Sequence, residues 1–215
     1  MSGRCVAGKV LLSNGFADWI RPVSSRPEKE LSAYDRHYDG TAQPEPALLD
    51  IIDIEFLGKD PHPYQPENYL IDDKIYWGLS RKATFAEALH AVDPMQPHLW
   101  GLSSDSSYHG RHDRVPMVDA PSFNSSLRLI SVDDLQIRVR AEGANFGNMK
   151  RNLRGYFTYS GNQYAIMITD PLIETGYLNR PEGTYPVGAA LLCVSLGEPY
   201  QGYAYKLIAG VILPP

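Results

Sequence analysis

The chain has 215 residues and 43% hydrophobic content, enough for one domain or two small ones with a packed core. Its formal charge of −5, from 20 Lys and Arg against 25 Asp and Glu, argues against a general duplex-DNA coat, which needs a broad basic surface to neutralise phosphates. Two cysteines are too few for a secreted disulfide scaffold, and no run reaches the roughly 18 apolar residues of a membrane helix.

The apolar patch near the N-terminus is broken by Gly8 and Lys9 and lacks a signal-peptide cleavage site. A cytoplasmic protein without a membrane partner is therefore expected. Cys5 and Cys193 lie in apolar, strand-like contexts and read as buried thiols. The acidic excess falls in residues 1–115, while 116–215 are balanced. The 14 Tyr, 17 Pro and 18 Gly favour short strands joined by turns over long helices.

The first strand is predicted from Arg4 to Leu12. Ser13-Asn14-Gly15 follows as a tight turn, because Asn-Gly tolerates the positive φ of hairpin loops. The returning strand carries Trp19 and Arg21, and Pro22, with no N–H to donate, marks an edge or the strand's end. Leu48 to Gly58 alternates apolar and acidic residues with period two, the pattern of one half-buried strand. Pro61 to Ile71 begins as a proline-stiffened loop and ends in a short strand at Tyr69 to Ile71. Ala83 to Val92 is the clearest helix, with Thr84 and Glu87 spaced as a capping box.

Residues 93–122 are polar and irregular and read as a loop and linker packed on two lobes, 1–92 and 123–215. In the second lobe, the runs LRLISV and QIRVRAE are strand-like. Leu153 to Asp170 is a hairpin turning at Ser160 to Gln163, and Ala189 to Leu213 repeats that plan with a turn at Pro199 to Gly202. The predicted class is mainly β: two small, closed or partly open five-stranded barrels, with one or two short helices. Closure of such barrels removes exposed sheet edges.

The blocks WIRPVSSRPEKEL, PHPYQPENYLID and LCVSLGEPYQGYAYKLIAGVI, taken together, resemble the prokaryotic dual-OB-domain family across Arg4 to Ile212. The resemblance implies two OB-type barrels in one chain. It also implies a nucleic acid or nucleotide-derived ligand, and a place in bacterial conflict and defence systems with a protein partner from the same gene system.

The residues give this expectation candidate contacts. Trp19 offers a flat face for a base, Arg21 and Arg26 offer planar forks for phosphate, and Ser24 offers a donor in the turn between them. The alternative for this stretch is a core tryptophan with arginines bridging to nearby carboxylates. Gln65 and Asn68 carry amides able to pair with a base edge or with the loop's own backbone. Lys150, Arg151 and Arg154, followed by Tyr156, Phe157 and Tyr159, form the densest basic-aromatic run, as single-strand binding requires. Lys206 is a candidate phosphate contact and Glu198 a candidate acceptor for a base or ribose hydroxyl, against the alternative of a solvated lysine on an amphipathic strand.

Catalytic signatures are weak. His109, His112 and Asp113 match no established metal spacing, and no phosphate-binding glycine loop or nucleophile elbow occurs. A non-catalytic module for single-stranded nucleic acid or a nucleotide, without cofactor or metal, is the leading expectation. A protein-interaction scaffold comes second and a metal-dependent nuclease or hydrolase third.

Overall fold

The computed structural model describes residues 5–40, 45–101 and 105–215. Arg4, the expected start of the first strand, lies outside them. The chain is mainly β and divides into two compact units. The first holds Met1–Ala91 together with Asn124–Ser126; the second holds Val92–Phe123 and Leu127–Pro215.

In the first unit, β1 (Gly8–Leu12) and β2 (Gly15–Val23) form the expected hairpin. They are followed by β3 (Asp50–Asp53), β4 (Phe56–Lys59), β5 (Asn68–Ile71), β6 (Gly78–Lys82) and helix α1 (Phe85–His90). The pairing runs β1-β2-β5-β4, with β2 and β5 parallel, while β3 pairs antiparallel with β6. Pro22 is not on an edge strand, because β2 lies between β1 and β5. The β1 pairing ends at Ile20, so the side of Pro22 that lacks a donor faces no ladder. The alternation at 48–58 is not one strand but two, β3 and β4, in different sheets. Its period survives the break, since Ile52, Ile54 and Phe56 all pack on a core of Leu31, Tyr38, Ile71 and Trp77. Thr84 caps α1 with the full reciprocal box, and Glu87 is drawn down to about 2 by Arg81 and then by Thr84.

In the second unit, β7 (Arg114–Pro116) is followed by β8 (Leu127–Arg140), β9 (Asn152–Tyr159), β10 (Asn162–Ile168), helix α2 (Pro171–Tyr177), β11 (Gly183–Tyr200) and β12 (Tyr203–Ile212). The order β10-β9-β8-β11-β12 closes on itself through a parallel β10–β12 contact at Met167–Leu207 and Ile168–Ile208. That is a sealed barrel of OB topology, with α2 between its third and fourth strands. LRLISV and QIRVRAE are one strand, β8. Its buried positions change phase between Leu129 and Ile130 and again before Leu135, so the strand bends as a closing sheet demands. Ser160 and Gly161, with φ of 48° and 77°, supply the two positive-φ positions that a two-residue hairpin turn needs.

Residues 92–123 belong to this unit. Leu99, Trp100 and Val115 enter the core beside Ile137, Ile166, Leu192 and Ile208. Arg111 pairs with Ala165 of β10 while β7 pairs with Tyr203–Tyr205 of β12. The stretch 111–116 thus fills the gap where the starts of β10 and β12 diverge. Neither cysteine is in a disulfide and neither is buried: Cys5 is exposed and Cys193 half-buried. Cys193 lies between inward-facing Leu192 and Val194, so the strand period turns its side chain outward. No helix among the described residues is long and apolar enough to cross a membrane.

Candidate nucleic-acid interface

OB barrels take ligands on the face of their second and third strands and on the loops joining strands one and two and strands four and five. Here the first of these loops is 141–151, between β8 and β9, and the second is the β11–β12 turn. The first is a shaped loop: Phe146, Gly147 and Asn148 return hydrogen bonds to Gly143, Ala144 and Gly143, and Gly147 ends the turn at φ 77°. These bonds hold Phe146 in place although it is 79% exposed. Beside it stand Tyr108, 72% exposed, and Met149, 71% exposed. The Tyr108 ring lies 6.0 Å from Phe146 and 4.4 Å from His109, edge to face in both cases. His109 Nε2 lies 2.7 Å from the Glu142 carbonyl oxygen. A carbonyl can only accept, so this nitrogen carries the proton, and the bond ties the 105–110 segment to the loop.

Cations lie in the same loop and at its start. Lys150 is exposed, and its backbone N–H donates to Asn148 Oδ1 at 3.0 Å. Arg151 gives one N–H to the Arg180 carbonyl at 2.8 Å and keeps the rest of its fork. Arg140 is exposed at the end of β8. A depression of about 170 Å3 opens among His109, Arg140, Glu142, Asn145, Met149 and Glu182.

Arg154 sits differently. The β9 period points it away from the barrel interior, yet it is 4% exposed. Its Nε and Nη2 donate to Glu142 at 2.7 and 2.8 Å, and Nη1 donates to Asp113 at 3.2 Å and to the Ala165 carbonyl at 3.0 Å. Burial alone would lower its pKa; the bonds to Glu142 and the charges of Glu142 and Asp113 outweigh it and leave the pKa raised. The strap 105–113 covers this part of the strand face and is held there by Asp113. That carboxylate accepts from the Ser107 N–H at 2.7 Å and from its hydroxyl at 2.5 Å. A Cβ on Gly110 would stand 1.8 Å from the Asp113 carboxylate, so only glycine fits there.

Lys206 is also buried, at 2% exposure, on the inner rather than the solvent face of β12. Its Nζ donates to the His112 carbonyl at 2.9 Å and lies 5.5 Å from the Tyr164 ring. Burial lowers its pKa to about 8, against the opposing pull of Asp113. Burial likewise lowers His112, helped by the charge of Lys206. His109, His112 and Asp113 are therefore engaged in anchoring the strap, while Tyr108 stays exposed. Among the described residues, no group of three His, Cys, Asp or Glu side chains is placed to hold a metal ion. Glu198 is exposed near the end of β11, at the opposite end of the β8–β11 ladder from the 141–151 loop.

The candidates in the first unit form a separate group. Trp19 is buried, paired in register with Lys9, whose Nζ lies 5.7 Å from its ring. Arg21 is buried and donates to Ser126 Oγ at 2.8 Å and to Glu67 at 3.4 Å, the bridging alternative. Ser24 is buried and accepts from the Arg26 N–H at 3.2 Å. The Arg26 fork goes to Asp35 and to the Glu30 carbonyl. Gln65 exchanges backbone bonds with His62 and accepts from the Asn68 amide at 3.4 Å. Arg21 Nε and Asn68 Oδ1 are buried without a hydrogen-bond partner.

Of the sequence-derived contacts, the structure gathers Lys150 and Arg151 at the exposed loop, with Arg154 beneath it. Sequence reasoning missed Tyr108, Phe146 and Arg140. A lone phenylalanine in the Gly- and Asn-rich run EGANFGN is the signal that points to Phe146, because a loop with no core to fill has no packing use for it. Tyr108 carried no such signal, since its place beside Phe146 arises from the strap.

The family comparison agrees with the topology. The family model described as a dual OB-containing domain matches residues 1–211. No curated protein and no solved structure matches the chain. With two strand-rich units, one of them a closed barrel of OB order, and a match over nearly its whole length, the chain belongs to the family of dual OB-containing domains.

Proposed function

We propose that the chain is a non-catalytic module that binds single-stranded nucleic acid or a nucleotide on the 141–151 loop of the second barrel. The observation that carries this reading is the pair of exposed, positioned rings, Phe146 and Tyr108, beside the cations of Lys150, Arg151 and Arg140. Stacking a base on an aromatic ring is worth about 1–3 kcal/mol. The charge distribution supports a short ligand: few cations sit at the loop, and the chain as a whole is acidic. On the family resemblance, the module works in the cytoplasm within a bacterial defence system.

The test is a titration of fluorescent single-stranded oligonucleotides against the wild type and Phe146→Ala at low salt. Phe146→Ala is expected to weaken binding by about tenfold, as loss of one stacked base implies, with an unchanged melting temperature because the ring is exposed. Log affinity should fall with log salt at a slope of about −1 to −2, as two neutralised phosphates on a single strand give. Absence of binding to any oligonucleotide or mononucleotide would defeat the reading and leave the protein-partner alternative. That second reading is favoured by the exposed Tyr34, Ile75 and Tyr76 of the more acidic first unit.

A further inference from the structure

We infer that the depression beside Phe146 reads a guanine base, with Glu182 and Arg140 as the selecting residues; this rests on the binding reading of the same loop. The volume, about 170 Å3, is below the roughly 300 Å3 at which pockets for larger ligands begin and suits a single heterocycle. Its lining is mixed in charge, which a site for phosphate alone would not be. Two carboxylates border it, and they differ in what they have left to offer. Glu142 spends both oxygens on the Arg154 fork, at 2.7 and 2.8 Å. Glu182 accepts one bond, from the Ala141 N–H at 2.8 Å through Oε1, and is otherwise exposed with its remaining lone pairs available.

An ionised carboxylate accepts and never donates. It therefore selects a base edge with two neighbouring N–H donors. Guanine presents N1–H and N2–H side by side; adenine and cytosine each present one amino group beside a ring acceptor, and uracil one N–H between two carbonyls. Arginine forks pair with guanine O6 and N7, which lie on the edge adjoining N1. Arg140 is the residue before Ala141, whose N–H holds Glu182, so donor fork and acceptor carboxylate are anchored at consecutive backbone positions. The match is to adjoining edges of one base. Phe146 follows Asn145 of the lining, and Tyr108 stands against lining residue His109, so ring faces are at hand at the margin of the depression, and Lys150 of the same loop carries a charge for the phosphate.

Isothermal titration of the full chain with GMP, AMP, CMP and UMP, for the wild type and Glu182→Gln, tests this. The amide side chain of that variant keeps an oxygen to accept from the Ala141 N–H, and the melting temperature verifies the fold. The expected result is GMP binding at least tenfold tighter than the other three, with that margin lost in Glu182→Gln, whose amide offers one acceptor and one donor in place of two acceptors. Equal binding of all four nucleotides would overturn the guanine assignment and leave the loop as a sequence-neutral platform. A guanine preference that persists in Glu182→Gln would overturn the role of Glu182. No binding of any of the four, nor of the oligonucleotides, would remove the binding reading itself.

Discussion

The two units follow one pairing plan and finish it differently. In the second, β9-β10-β12-β11-β8 reads antiparallel, parallel, antiparallel, antiparallel, and β8 then pairs with β9 to seal the barrel. In the first, β1-β2-β5-β4 followed by the β3–β6 pair has the same sequence of senses. There the strand in the sealing place, β6, comes last in the chain instead of first. Among the described residues, no pairing joins β6 to β1. A hydrogen bond from Lys9 Nζ to the Ala91 carbonyl at the end of α1, 2.8 Å, lies at that seam. The difference teaches that the OB order is specified by which strands pair, while closure is a further property needing a long, bent strand such as β8.

Each unit fastens its irregular segments with a buried arginine, and truncating those arginines probes the comparison hardest. Arg154→Ala leaves Asp113 and Glu142 without their cation, and an uncompensated buried charge costs about 3–5 kcal/mol. A loss of about 4 kcal/mol in urea denaturation is expected. Arg21→Ala is expected to cost less, about 3 kcal/mol, since Ser126 still donates to Glu67 through its N–H at 3.2 Å and its hydroxyl. The reverse order would mean that the open unit, not the sealed one, depends more on its charge bridge.

The helix caps sharpen the same contrast. Asp170 caps α2 through the Leu172 and Ile173 N–H groups, and its other oxygen accepts from Val211 of β12 at 2.9 Å. Thr84 caps α1 only locally. Asp170→Ala should therefore cost about 2–3 kcal/mol and Thr84→Ala about 1 kcal/mol by thermal melts, the difference being the orphaned strand N–H. Equal costs would show that the Val211 contact adds no stability.

The last effect is a slope. In the folded protein, Lys206 loses its proton near pH 8, and in the unfolded chain near 10.5. Between those values the unfolded state holds more protons, so this group makes stability rise with pH; below about 8 its burial penalty is present in full. The melting temperature of the wild type relative to Lys206→Met is expected to climb from about pH 8 to about pH 10. A flat difference would show that the amine is not titrating in place.

What was legible in the sequence was local. The Ser160-Gly161 turn, the Thr84–Glu87 box and the alternation of Leu153 to Ile168 each carry their signal within a few residues. The parallel pairs were not legible, because β2–β5 and β10–β12 join segments about 40 residues apart or more, and no short pattern encodes a partner at that distance. Site residues fared likewise. Lys150, Arg151 and Arg154 read alike as cations of one run, and no local pattern shows that Asp113, 41 positions from Arg154, returns to cover it. Residues 93–122 look like a linker because their apolar residues are sparse, yet Leu99, Trp100, Val115 and Ala120 are buried, and strand pairing with β12 and the Asp113–Arg154 bond, which no local pattern shows, complete the docking.

The place of β8 at the front of its unit has a consequence for biosynthesis. Leu127 pairs with Ser195, so the start of β8 leaves the ribosome 68 residues before its partner. At about 5–20 residues per second that is a wait of roughly 3–14 s. During that wait Ile130, Val132 and Leu135 have no β11 to cover them. The first unit meets no such delay at its last strand, since β3 is already made when β6 emerges. The sealed barrel is thus the half of the nascent chain most exposed to mispairing, and the period before β11 appears is when a chaperone would have most to hold.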